Sequence, residues 1–255
     1  MPLMHHITLG NKVPRFNREC LDSWKKLKDR NFDIVSWTER GLKDYLAHCE
    51  IAELKMLLAR ARNYGEASDI LRMAITYSHG GFYVDWDVLL VDLHKFLALI
   101  PDLENTNCLL LRDGLTKNPN VSCVYDNSFF YMKKKNPLAL DFLRAMEDNY
   151  SRDPVPSTPY VTGPLALTSF LDSHPDYKNE CAMLDELDLY AFDYEEVIAQ
   201  TRNQTQRAVL KDYYQPGSAP AIHFWMHTWA APKMKWSGRV LDSVHQAFRV
   251  LTGLR

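Results

Sequence analysis

Two aspartates, Asp85 and Asp87, stand two residues apart between apolar runs, Phe82-Tyr83-Val84 before them and Val88-Leu89-Leu90-Val91 after. On an extended segment, residues at that spacing point to the same side. Two carboxylates so close repel each other, and one tends to stay protonated unless a cation lies between them. Hard oxygen donors of this kind suit Mn²⁺ or Mg²⁺. A second pair lies upstream: Asp69 and Arg72 share one face of a helix. They fit either a surface ion pair worth about 0–1 kcal/mol or a holder for the hydroxyls of a polar ligand. A third element comes late, in His223-Phe224-Trp225-Met226-His227-Thr228-Trp229. There His223 fits a further metal ligand, with Trp229 as a cover for a ligand and Trp225 as an aromatic plug. Asp126-Asn127, between two apolar runs, fits either a contact to a ligand or a plain turn. Gly163-Pro164 marks a rigid turn that brings backbone close to a ligand.

The elements that must position these groups follow from the patterning. The spacing predicts strands over Met4–Leu9 and Phe32–Trp37, and helices over Asn17–Arg30, Gly41–His48 and Ile51–Arg62. Strand and helix alternate with short connections, which indicates a parallel α/β sheet with helices on its faces. Ser68 is the expected N-cap of a helix stopped by Gly80-Gly81, and that helix hands the chain to the strand bearing Asp85 and Asp87. Farther on, strands are expected over Asn107–Arg112, Val121–Met132, Leu187–Phe192 and Ala221–Phe224. Helices are expected over Pro137–Tyr150, Gly163–Ser173 and Gly238–Leu251, and a proline-rich loop over Ser151–Pro159.

Composition narrows the function classes. The chain has 255 residues, 30 Lys plus Arg against 32 Asp plus Glu, a net charge of −2 and 46% apolar residues. A packed core is expected and wholesale disorder is excluded. The lack of a basic surplus argues against a nucleic-acid partner. There is no run of 18 apolar residues to span a membrane, and Met1 to Gly10 does not read as a signal peptide. Five scattered cysteines (Cys20, Cys49, Cys108, Cys123 and Cys181) point to a reducing compartment. The N-x-S/T triplets at Asn120, Asn149 and Asn203 carry little weight without a secretory signal. A cytoplasmic location is expected. Lys133-Lys134-Lys135 fits either a solvated turn or peripheral contact with an anionic inner membrane face.

The order S-D-x-x-R (68–72), G-G-x-Y-x-D-x-D (80–87) and H-x-W-x-x-x-W (223–229) resembles the family 32 glycosyltransferases with their DXD sugar-binding region. It is also similar to the glucosylating domains of large clostridial toxins. The strongest match covers Ala67 to Val91. Weaker echoes are Met4 to Gly10, Ser23-Trp24, Ser36-Trp37, Thr162-Gly163-Pro164 and Ile222 to Trp229.

The resemblance implies a GT-A-type fold, a Rossmann-like mixed sheet flanked by helices in a single domain. Its nucleotide-sugar half would span about residues 1–110 and its acceptor half about 111–255, with a metal- and diphosphate-contacting tail. It implies metal-dependent transfer of a hexose, with retention, from a nucleotide sugar to a hydroxyl of a glycan, lipid-linked glycan or protein. On the same resemblance Asp87 ligates the cation directly and Asp85 reaches the ribose and the cation. Asp69 and Arg72 hold the donor sugar, His223 ligates the metal or touches the diphosphate, and Trp229 closes over the diphosphate. Two positions depart from the pattern. Thr8 stands where the toxin domains stack an aromatic residue on the base, which leaves UDP against GDP open. Phe224 follows His223 where adjacent histidines are common, which leaves His223 against His227 open. A non-catalytic glycan- or protein-binding module and a metal-dependent phosphohydrolase are the alternatives.

Overall fold

A computed structural model describes residues 1–9, 13–113, 123–152, 154–201 and 209–226. The first strand, β1 (Leu3–Ile7), runs parallel to β2 (Asp33–Trp37) on one side and to β3 (Gly81–Val84) on the other. Antiparallel β6 (Val124–Met132) follows β3, and β5 (Cys108–Asp113) pairs antiparallel with β6. The sheet ends on β7 (Ala182–Asp185), parallel to β5, giving the order β2-β1-β3-β6-β5-β7. A second, two-stranded sheet pairs β4 (Val88–Leu90) with β8 (Ala221–His223). The mixed sheet flanked by helices that the resemblance implied is present, and the parallel sheet read from the alternation is corrected, because β6 runs antiparallel between β3 and β5.

Strand alternation divides the core between the two faces. Phe82 and Val84 of β3 pack with Trp24, Phe96 and the small sheet, whereas Tyr83 packs with the helices of the opposite face. The first face carries α1 (Arg15–Ser23), a 3₁₀ continuation over Trp24–Arg30, and later α5 (Leu93–Leu99). The other carries α2 (Glu39–His48), α3 (Leu54–Arg60), α4 (Tyr64–His79), α6 (Pro137–Tyr150) and α8 (Pro164–Ser173), with the short α7 (Thr158–Val161) between the last two. Further on, α9 (Pro175–Glu180) precedes β7, α10 (Glu186–Leu189) follows it directly, and α11 (Tyr194–Gln200) comes next. No helix among the described residues is long and apolar enough to cross a membrane.

The helix α4 carries the first functional residues. It starts earlier than expected: Asn63, not Ser68, is its N-cap, accepting from the Glu66 N–H at 3.0 Å. Ser68 lies inside the helix. The stop at Gly80-Gly81 is as expected, and both glycines have positive φ, 71° and 107°. A Cβ on Gly80 would lie 2.7 Å from the Lys134 nitrogen and one on Gly81 2.6 Å from the Leu3 carbonyl oxygen, so only glycine passes here.

Other expectations need correction. Asn17–Arg30 is not one helix, because α1 gives way to a 3₁₀ segment at Trp24. Leu187–Phe192 is not a strand: α10 occupies its start, and the strand lies just upstream as β7. The proline-rich loop ends early, since Thr158 opens α7. The tail helix expected over 238–251 lies outside the described residues, as do Asn120 and Asn203.

Candidate active site

Asp85-Trp86-Asp87 is a turn, not a strand. The main sheet ends at the Val84↔Phe129 pair, and Val88 N–H closes the turn on the Asp85 carbonyl at 3.3 Å. Asp85 remains anchored to β6 through its N–H to the Ser128 carbonyl, 2.8 Å. The chain then enters the small sheet as β4. Trp24 Nε1–H donates to the Val88 carbonyl at 2.8 Å and Leu90 N–H to Ser23 Oγ at 2.9 Å, so the end of α1 fixes the exit of the turn. The strand β8 fixes it from the other side. Its His223 lies opposite Val88, the Phe224 N–H reaches the Asp87 carbonyl at 3.2 Å, and the Met226 N–H reaches Asp87 Oδ2 at 2.7 Å.

Asp85, Asp87 and His223 thereby converge, with one ligand atom from each within 4.8 Å of the others. This is the only such cluster among the described residues. The donor set fits a divalent cation. His223 Nε2 is 3.6 Å from Asp87 Oδ1, and His223 Nδ1 is buried with no hydrogen-bond partner. Groups brought together without satisfying one another leave the balance to a ligand.

Arg72 joins this turn to α4. Its Nη2 lies 3.1 Å from Asp69 Oδ1 and 3.2 Å from Asp85 Oδ1. Its Nη1–H donates to the Asn127 carbonyl, and the guanidinium stands 4.5 Å from the centre of the Tyr83 ring. The Asp69 oxygens accept from Asn127 Nδ2 at 2.9 Å and from Thr162 Oγ1 at 2.8 Å. Arg72 is 5% and Asp69 6% exposed, which excludes the surface ion pair.

The two aspartates of the turn differ electrostatically. Burial pushes the Asp85 carboxyl up to about 6, with Asp87 adding to the shift and Arg72 opposing it. Burial also works against the Asp87 charge, but His223 and the Met226 N–H outweigh it and hold Asp87 below the usual carboxylate range. His223 is raised above its ordinary value, burial being outweighed by Asp87. Arg72 is raised as well: burial opposes its charge, and Asp85, Tyr83 and Asp69 more than offset that.

These groups face a cavity of about 970 Å³ at the carboxyl ends of β1 and β3, the usual place for a ligand in such sheets. Of the residues singled out from sequence, Asp69, Arg72, Asp85, Asp87, Asn127, Gly163 and His223 line it. A Cβ on Gly163 would lie 2.9 Å from Pro159 Cα, so the close approach there is between two backbones. Thr8 does not line the cavity. Its hydroxyl donates to the Trp37 carbonyl at 3.2 Å, and its neighbours Ile7 and Leu9 line the space instead. Trp229 and His227 lie outside the described residues. Sequence reasoning missed Tyr83, whose hydroxyl donates to Asp85 Oδ1 at 2.6 Å. Its position two before Asp85 was the available signal. It also missed Thr162 as a partner of Asp69, and Glu186, for which no local signal exists.

Residues 14–97 match the family model described as "Glycosyltransferase sugar-binding region containing DXD motif". That stretch runs from before α1 to α5 and contains α4 and the Asp85–Asp87 turn. No curated protein matches the chain. Among solved structures, the chain is similar to the PaToxG glycosyltransferase at 17% identity, over 99% of this chain and 86% of that one, with a TM-score of 0.45. The ligand-free glycosyltransferase domain from the YGT toxin is 11% identical over 82% of this chain and 88% of that one, with a TM-score of 0.49. The glycosyltransferase GlyE in Streptococcus pneumoniae is 10% identical over 99% of this chain and 62% of that one, with a TM-score of 0.46. The matched stretch contains Asp69, Arg72, Asp85 and Asp87, four of the residues that line the cavity, and supports glycosyltransferase activity.

Proposed function

We propose that the protein is a glycosyltransferase that moves a hexose from a UDP- or GDP-linked donor to a hydroxyl of a glycan, lipid-linked glycan or protein. The transfer retains the anomeric configuration and depends on Mn²⁺ or Mg²⁺. One observation carries the reading: the Asp85–Asp87–His223 convergence sits beside the buried Asp69–Arg72 pair at one cavity. A cation-binding group and a hydroxyl-binding group are thus adjacent, as a sugar diphosphate requires.

Asp85, Asp87 and His223 would hold the cation, which when bound supplies Lewis-acid stabilisation of the diphosphate leaving group. Asp69 Oδ2 accepts one bond from Thr162 and keeps a further lone pair for a sugar hydroxyl. Arg72 is pinned by Asp69, Asp85 and the Asn127 carbonyl, so it presents positive charge without reorganising. No lining group is assigned as a general base. In a retaining front-face displacement the departing phosphate oxygen accepts the acceptor's proton. The nucleotide-sugar half is assigned to about residues 1–110 and the acceptor half to about 111–255.

The test is calorimetric titration of UDP and GDP with and without Mn²⁺, followed by a screen of nucleotide sugars for Mn²⁺-dependent hydrolysis. Tighter nucleotide binding with the metal, and loss of both signals in Asp87→Ala, are the expected results. Equal binding with and without Mn²⁺, together with no hydrolysis of any donor, overturns the reading.

A further inference from the structure

A second group of carboxylates lines the same cavity. Asp113 ends β5, Asp126 lies near the start of β6, Glu186 opens α10 and Asp193 caps α11. Glu186 is the informative member. It is 5% exposed, and its Oε1 is buried with no hydrogen-bond partner. A buried acceptor atom left without a donor is costly, and native structures rarely tolerate one that no water, ion or ligand satisfies.

The charge around Glu186 points to the kind of ligand. Burial comes first, then Asp126, Asp113 and Asp193, and together they push its carboxyl up to about 9. At neutral pH it therefore holds a proton. The cationic groups lining the cavity among the described residues, Arg72 and His223, are engaged by Asp69, Asp85 and Asp87, with Asp126 adding to both, and neither acts on Glu186. The acidic group is too spread out for a metal ion. Among the described residues, only Asp85, Asp87 and His223 bring three ligating atoms within 4.8 Å. A cation with several N–H donors on a larger frame fits such a spacing.

We infer that Asp126, Glu186 and Asp193 form the acceptor subsite and that it selects an amino sugar, whose ammonium group docks on these carboxylates. This rests on the donor site proposed above. The cavity, about 970 Å³, is at the upper end of the roughly 300–1,000 Å³ typical of ligand pockets, so the acceptor beside a nucleotide sugar is small. Tyr194, also in the lining, offers an aromatic face to a sugar ring. In the transfer, the acceptor hydroxyl oxygen bonds to the anomeric carbon as the bond from that carbon to the diphosphate oxygen breaks. The hydroxyl proton goes to the diphosphate, and the ammonium group is unchanged.

Calorimetry on the full chain, with Mn²⁺ and with or without UDP or GDP, tests this. The probes are methyl glucosaminide, its N-acetyl derivative and a lysine-containing peptide. The free amine is expected to bind about tenfold more tightly than the uncharged N-acetyl form. Its binding at pH 7 should release a proton, seen as heats that vary with the buffer. Glu186→Gln should abolish the proton release, and Asp193→Asn should reduce the preference for the amine, with nucleotide affinity unchanged in both. Equal binding of the amine and its N-acetyl form, or binding of the peptide in place of the sugar, overturns the inference. Failure of UDP and GDP to bind overturns the donor reading instead, and the amine titration without nucleotide keeps the two results separate.

Discussion

The Met226 N–H donates to Asp87 Oδ2 at 2.7 Å, joining the turn that bears the aspartates of the candidate cation site to a segment 139 positions later. The strand β8 supplies His223 to the same turn through its pairing with β4. The cation site is therefore complete only when the small sheet forms. Asp87→Asn is expected to keep this hydrogen bond, because an amide oxygen still accepts it, while removing the ligating charge. It should still fold, with a lower melting temperature because the attraction between Asp87 and His223 is lost, and Mn²⁺ should no longer tighten nucleotide binding in calorimetry. Retention of the metal effect in a folded Asp87→Asn protein would remove Asp87 from the ligand set.

Tyr83 acts through Asp85. Its hydroxyl donates to Asp85 Oδ1 at 2.6 Å, and its ring lies against Arg72. Outer partners of this kind orient a ligating carboxylate, and their loss lowers metal affinity by about 10–100-fold. Tyr83→Phe keeps the ring and removes the bond. The expected result is weaker Mn²⁺ affinity in that range with an unchanged circular dichroism spectrum. Unaltered affinity would show that Asp85 needs no such help.

Arg72 neutralises two carboxylates in a buried setting. Removing one partner of a buried ionic network leaves uncompensated charge and costs about 3–5 kcal/mol. Arg72→Met should lower the unfolding free energy by that order in urea titration, and Arg72→Lys should restore only part of it. A lysine ammonium cannot reproduce the fork that reaches Asp69, Asp85 and the Asn127 carbonyl together. A change under ~1 kcal/mol for Arg72→Met would mean that the pair is solvated.

Much of the site was legible because its members are close in sequence. Asp69 and Arg72 share a helical turn, and Asp85 and Asp87 flank one residue, so spacing alone grouped them. Their local geometry was less legible. The β-rich runs on either side of Asp85-Trp86-Asp87 read as one strand, but they belong to two sheets, and the chain turns between them. Long-range pairing decides that, and no local preference records it. The same holds for Leu187–Phe192, whose apolar residues suggested a strand although the ladder with β5 is made by Ala182–Asp185. Ser68 resembled an N-cap because its side chain is a good one. Asn63 and Glu66, five and two residues earlier, form the real cap, and Ser68 Oγ instead accepts from Arg72 Nη2 at 3.3 Å. Glu186 was invisible because its neighbours Asp113, Asp126 and Asp193 gather only in the folded chain.

Glu186 also sets a pH dependence of stability whose sign is definite. Its carboxyl is raised from 4.5 to about 9, by burial first and then by Asp126, Asp113 and Asp193. Between these values the folded protein holds a proton that the unfolded chain has released. Stability must then fall as pH rises through that window, because the folded state binds more protons. The favourable contribution is complete below pH 4.5 and gone above about 9. Glu186→Gln keeps the shape and cannot ionise, so its melting temperature should decline less steeply than the parent's from pH 6 to pH 9. The gap between the two proteins should widen with pH, with the variant the more stable at the alkaline end. Parallel melting curves across that range would show that Glu186 is charged in the folded protein, with a cationic partner supplied by the chain itself.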